Sequence, residues 1–208
     1  MPLYKTITPN SQTTVKIWKI TESYDDLFKS VHLKPKSLER VLNMKSELHQ
    51  RGFLSVRKLL AEFGYEDVDL HYDKQGKPYL KDGKHISITH SFTFSAVVVS
   101  DGIVGIDIEK QRDKISIIAN KFIDYEFNYL IESDTDYVKK LTIIWCVKES
   151  LYKLFVTPGL SFKEHCLVIP FSLEDQSTVA WIDYKGIKSR YHVNFLEFEG
   201  FTCAYALA

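Results

Sequence analysis

Two short stretches hold residue types that do chemistry in combination: Gly105-Ile106-Asp107-Ile108-Glu109 and Trp145-Cys146-Val147-Lys148-Glu149-Ser150-Leu151-Tyr152-Lys153. Side chains two apart on a β-strand leave the same face. Asp107 and Glu109 thus share one face and Ile106 and Ile108 the other, so the apolar pair can enter a core while the carboxylates stand at its edge. Like charges this close repel unless something positive lies between them. Mg²⁺, which prefers carboxylate and phosphate oxygens, meets that need. The second stretch has helical spacing, with Trp145, Glu149 and Tyr152 or Lys153 recurring at threes and fours. Glu149 then supplies a third carboxylate and Lys153, one turn on, a fixed positive charge. Three carboxylates, a lysine and a divalent cation suit chemistry on a phosphate or pyrophosphate. Each stretch alone also fits a strand edge with solvated acids and a helix with an ordinary Glu–Lys pair.

The flanking sequence supplies elements to hold these stretches. Val15–Ile20 alternates apolar and polar residues as a half-buried strand does, and Ser23 caps a short helix over 23–31. From Ser37 to Phe63 apolar residues recur at helical spacing, and Gly52 either breaks this run into two helices or merely weakens it. Strand patterns follow at 68–72, 77–80, 85–90 and 94–100. Asp101-Gly102 then marks a hairpin that delivers the chain to Asp107. Beyond Asp113, the spacing of Ile115, Ile118, Phe122 and Leu130 predicts a helix to about Ile131. The Trp145 helix spans 136–155, closed by Thr157-Pro158-Gly159. Strands are expected at 166–170, 178–184, 191–198 and 201–207. The pattern is strand and helices followed by a run of strands, twice. It reads as an α+β protein of two similar halves, 1–101 and 102–208, each a small antiparallel sheet packed with helices, with a ligand cleft between them.

Composition narrows the function classes. With 27 Lys and Arg against 27 Asp and Glu, the net charge is zero, which argues against bulk electrostatic binding of nucleic acid. Hydrophobic residues at 45% and charged residues at 26% are ordinary for a soluble protein, and no apolar run reaches membrane-spanning length. Met1 to Asn10 lacks a secretory pattern, so a cytoplasmic protein is expected. Cys146, Cys166 and Cys203 lack metal-ligand spacing and read as buried reduced thiols.

Taken together and in order, Gly-Ile-Asp-Ile-Glu followed by Trp-x-x-Lys-Glu-Ser-x-x-Lys resembles the 4′-phosphopantetheinyl transferase family, in its longer, single-chain surfactin-synthetase-activating type. Gly76-Lys77-Pro78, Ile88-Thr89-His90-Ser91 and Gly159-Leu160-Ser161-Phe162 extend the resemblance. It implies a pseudo-twofold fold and Mg²⁺-dependent transfer of 4′-phosphopantetheine from coenzyme A to a serine of an apo acyl or peptidyl carrier protein, with a monomer sufficient. By the same resemblance, Asp107, Glu109 and Glu149 hold Mg²⁺ and face a common point, while Glu149 and Lys153 are catalytic. His90, with Thr89 and Ser91 beside it, contacts the 3′-phosphate of coenzyme A. Lys77 approaches the nucleotide, Lys153 reaches the pyrophosphate, and Arg51 and Arg57 are further phosphate ligands. Glu126 resembles an acidic position of the family and equally fits a surface glutamate. The cations Lys110, Arg112, Lys114 and Lys121 are either a solvated face or a dock for an acidic carrier. The same acids and lysine would also serve a Mg²⁺-dependent pyrophosphohydrolase or a non-catalytic coenzyme A-binding module.

Overall fold

An exposed, largely polar strand opens the chain: β1 (Leu3–Asn10) pairs antiparallel with β2 (Thr13–Lys19). β1 leaves little trace in the sequence, because an edge strand with no buried position carries no alternation to read. The turn joining the two is closed by the Asn10 side chain, which accepts the Gln12 N–H at 2.9 Å. The structure, a computed structural model, describes residues 3–155 and 157–208. The chain divides into two compact units, Met1–Ile103 and Val104–Ala208.

In the first unit α1 (Tyr24–Lys29) starts at Ser23, whose hydroxyl accepts the Asp26 N–H. Then come α2 (Pro35–Leu42) and α3 (Glu47–Glu62), β3 (Leu70–Tyr72), β4 (Pro78–Leu80), β5 (His85–Ser91) and β6 (Phe94–Ser100). The helical run breaks at 43–46, and Gly52 lies inside α3. There its missing side chain makes room, since a Cβ would come within 2.8 Å of the His90 imidazole. The main sheet has the order β1-β2-β6-β5, with β3 and β4 a separate hairpin. One core joins Trp18 on β2, Leu27 on α1, Leu54, Leu59 and Leu60 on α3, and Ile86 and Val97 on the sheet.

The second unit begins with β7 (Val104–Lys110), an edge of the sheet β7-β11-β10-β9-β8. After α4 (Lys114–Ile118) the expected long helix gives way to 3-10 turns at Ala119–Lys121 and Tyr125–Asn128. In the second of these turns Glu126 folds inward to bind backbone and a lysine instead of facing solvent. Then come α5 (Tyr137–Phe155), α6 (Phe162–His165), β8 (Cys166–Val168), β9 (Ser177–Tyr184), β10 (Ile187–Phe198) and β11 (Phe201–Leu207). Leu141, Ile144, Val147 and Leu151 of α5 pack in one core with Phe195, Ala204 and Ala206 of the sheet.

The register fixes which face of β7 meets α5. Asp107 pairs with Ala204 and Gly105 with Ala206, and directly paired residues share a face. The carboxylates therefore leave on the helix-packed side. Ile106 and Ile108 leave on the other and are also fully buried. Contact is closest at Gly105, where a Cβ would overlap the Ser150 carbonyl oxygen and lie 2.8 Å from its carbon. Backbone on backbone cannot relax cheaply, so Gly105→Ala should lower unfolding stability by about 1–3 kcal/mol in denaturant titrations. An unchanged midpoint would mean that α5 has slack there.

Candidate active site

Helix α5 lays one turn of reactive side chains over β7. The Lys153 ammonium donates to the Asp107 carboxylate at 2.7 Å and to the Ile106 carbonyl oxygen at 2.9 Å. Asp107 is 4% exposed, while the Lys153 side chain keeps 27% of its surface in water. Glu149, one turn earlier on α5, is half-buried. Burial pushes its pKa up to about 7. Asp107 adds to the rise, Lys153 opposes it, and Glu109 adds a smaller push. Burial alone would lower the Lys153 pKa, but Asp107 and then Glu149 outweigh it and hold the ammonium above its ordinary range. The same field reaches Cys146, whose thiol is raised first by burial and then by Asp107 and Glu109. Cys146 is thus a poor nucleophile, as are buried Cys166 and Cys203, whose thiols are also raised by burial.

The three carboxylates predicted from the sequence thus share one electrostatic environment within the second unit. They are not a ready-made cluster: among the described residues no three His, Cys, Asp or Glu side chains are grouped to hold one metal ion. Asp107 is drawn to Lys153 instead. The donor set still fits a hard divalent cation, being all carboxylate oxygen and carrying a mutual repulsion that a cation would relieve. Glu109 also lines an open pocket with Lys110, Arg112, Lys114, Ile115, Ile118, Thr142 and Trp145. Trp145 packs edge-on to Phe122 and Phe162, at 5.0 and 5.7 Å between ring centroids.

The nucleotide-side candidates all lie in the first unit. His90 is exposed on β5, its ring resting on Gly52 and 6.3 Å from that of His49. His49 escaped the sequence reading, because nothing local links it to β5. Thr89 and Ser91 were expected beside His90, but strand alternation sends their side chains to the opposite face, where both are buried. Lys77 is half-buried, and that burial lowers its pKa against the opposing charge of Asp73. Arg51 donates from Nη2 to the Ile20 carbonyl oxygen at 3.3 Å. Arg57 calls for a correction. It is buried, ion-paired to buried Asp67 at 2.9 Å, bonded to the Phe53 carbonyl and stacked 3.4 Å above the Phe53 ring. A guanidinium so committed braces α3 and does not present itself to a phosphate. Of the two readings of Glu126 the surface one falls, since it is 1% exposed and paired with Lys148.

A family model for the 4′-phosphopantetheinyl transferase superfamily matches residues 103–206, half of the chain, and the chain belongs to that family. It is 31% identical over 110 residues to enterobactin synthase component D of Salmonella typhimurium (strain LT2), covering 51% of this chain and 47% of that protein. It is 28% identical over 126 residues to the 4′-phosphopantetheinyl transferase gsp of Aneurinibacillus migulanus, covering 58% and 53%. The chain spans about half the length of the curated relatives it matches. No helix among the described residues is long and apolar enough to cross a membrane.

The raised Glu149 pKa has a consequence for stability. A folded-state value of about 7 against an ordinary 4.5 means that the folded chain holds a proton the unfolded chain has released. Its contribution is therefore fully present below pH 4.5 and is lost as pH rises through 7. With metal chelated, thermal midpoints should fall over that interval more steeply for the unaltered protein than for Glu149→Gln. Equal slopes would remove Glu149 from the acidic environment.

Proposed function

We propose that the protein transfers 4′-phosphopantetheine from coenzyme A to a serine hydroxyl of an apo acyl or peptidyl carrier protein. The observation that carries this reading is Lys153, bound to Asp107 beside a Glu149 whose pKa both neighbouring acids raise, in a chain of this family. The two units repeat a strand–helix–strand order, which supports two similar halves and the longer, single-chain branch, sufficient as a monomer.

Asp107, Glu109 and Glu149 would hold Mg²⁺, which when bound offsets negative charge on the pyrophosphate. The serine oxygen attacks the phosphorus bearing pantetheine, a P–O bond of the pyrophosphate breaks, and 3′,5′-adenosine diphosphate leaves. Lys153 stabilises charge on the leaving oxygen or on the pyrophosphate. Glu149, titrating near neutral pH, is suited to take the serine proton directly or through water, although coordination would weaken it as a base. His90 and Lys77 bind the nucleotide end, joined by Arg51, which precedes the Gly52 that His90 rests on. Lys110, Arg112 and Lys114 around the pocket next to Glu109 give an acidic carrier a complementary surface, and exposed Ile117 adds an apolar contact.

Incubation with coenzyme A, Mg²⁺ and an apo carrier, followed by intact-mass spectrometry, tests the reading directly. Gain of phosphopantetheine by the carrier supports transfer. Free phosphopantetheine would mean hydrolysis, and no turnover a binding module. Excess chelator or Asp107→Asn should abolish the gain, and full activity in chelator would rule out the metal site. His90→Ala should weaken coenzyme A binding more than dephospho-coenzyme A binding, by on the order of 1.5–3 kcal/mol for a lost charge-assisted bond. Equal losses would return His90 to a structural role.

A further inference from the structure

Lys148 lies next to Glu149 in the sequence, yet takes no part in the acidic site. Its ammonium is fully buried and each of its three donors has its own acceptor: Glu126 Oε1 at 2.7 Å, the Phe122 carbonyl at 2.8 Å and the Phe162 carbonyl at 3.2 Å. Glu126 in turn accepts the Val168 N–H at 2.9 Å and the Asp124 N–H at 3.2 Å. One buried ion pair therefore ties α5 to the 3-10 segment, to the start of α6 and to β8. The two phenylalanines whose carbonyls it binds are the ones that pack on Trp145. Phe162 also meets Tyr152. The Gly159-Leu160-Ser161-Phe162 turn has a place in this arrangement: Leu160 is buried, and the Ser161 hydroxyl caps α6 by accepting the Glu164 N–H.

A buried ion pair is weak evidence for stability, because apolar residues of equal volume often serve as well. Directional bonds to several elements fix what apolar contact leaves loose, namely the rotation of α5 about its axis. Side-chain tips lie about 5–6 Å from a helix axis, so a rotation of about 10° moves them by about 1 Å. A misplacement of that size can cost about a hundredfold in rate.

We propose that Lys148, held by Glu126, is a positioning residue: the pair sets the rotation of α5 that brings Lys153 onto Asp107 and Glu149 into the acidic field. This rests on the transferase reading above, so the test is built to separate the two. The Glu126→Gln/Lys148→Met variant removes both buried charges and keeps an acceptor for the Val168 or Asp124 N–H. It should melt cooperatively, with kcat for transfer reduced about tenfold or more and KM for coenzyme A changed less than about threefold. A merely stabilising pair would lower the melting temperature and leave kcat per folded molecule unchanged, which overturns the proposal. Should that variant fail to fold, Glu126→Asp, which keeps both charges and shortens the reach, should show the same split, and an unchanged kcat would count equally against it. If the unaltered protein transfers nothing, the transferase reading falls, and hydrogen exchange reads positioning by itself. Faster exchange of amides 149–153 in whichever variant folds supports the proposal, and unchanged exchange overturns it.

Discussion

The second unit depends on how closely α5 approaches β7. At Gly105 the helix backbone occupies the space a side chain would need, with the Ser150 carbonyl lying directly over the strand. That proximity lets Lys153 reach both the Asp107 carboxylate and the Ile106 carbonyl, and places Glu149 where Asp107 and Glu109 raise its pKa. Move the helix outward by the width of a methyl and the ion pair lengthens into solvent, where such pairs contribute little. The glycine of Gly-Ile-Asp-Ile-Glu is as much part of the acidic site as the acids.

Among the described residues each unit also buries an ion pair away from its site residues. Arg57–Asp67 in the first and Lys148–Glu126 in the second both tie a long helix to an irregular segment, through bonds to backbone as well as to each other. Irregular segments leave backbone groups without helical or ladder partners, and those groups must be satisfied once buried. A charged side chain with several donors or acceptors does this for several elements at once. Arg57 reads as a phosphate ligand by resemblance alone, and nothing in its local sequence marks its pairing with Asp67.

The placement of the acids and lysine of the second unit was legible because it is local: period-two spacing puts Asp107 and Glu109 on one face, and helical spacing puts Lys153 a turn beyond Glu149. Most strands were legible for the same reason. Which face of β7 meets the helix was not, since Ile106 and Ile108 gave a sufficient apolar face and only the register with β11 shows that the carboxylate side is covered by α5. Gly52 was ambiguous too, its use being a contact with His90 on a distant strand. The stretch after Asp113 looked helical from its isoleucines, yet α4 ends at Ile118 and Glu126 turns inward to Lys148 from a later 3-10 turn. Residues that act through long-range contacts leave no periodic trace.

The claim on which the rest turns is that Asp107, Glu109 and Glu149 act as one cation site over which α5 is held. A crystal structure with coenzyme A and Mn²⁺, whose anomalous signal locates the ion without ambiguity, tests it most directly. The account predicts one peak bonded to oxygens of all three carboxylates, with Lys153 alongside. A peak without the Glu149 carboxylate, or an ion bound elsewhere on the chain, would contradict it.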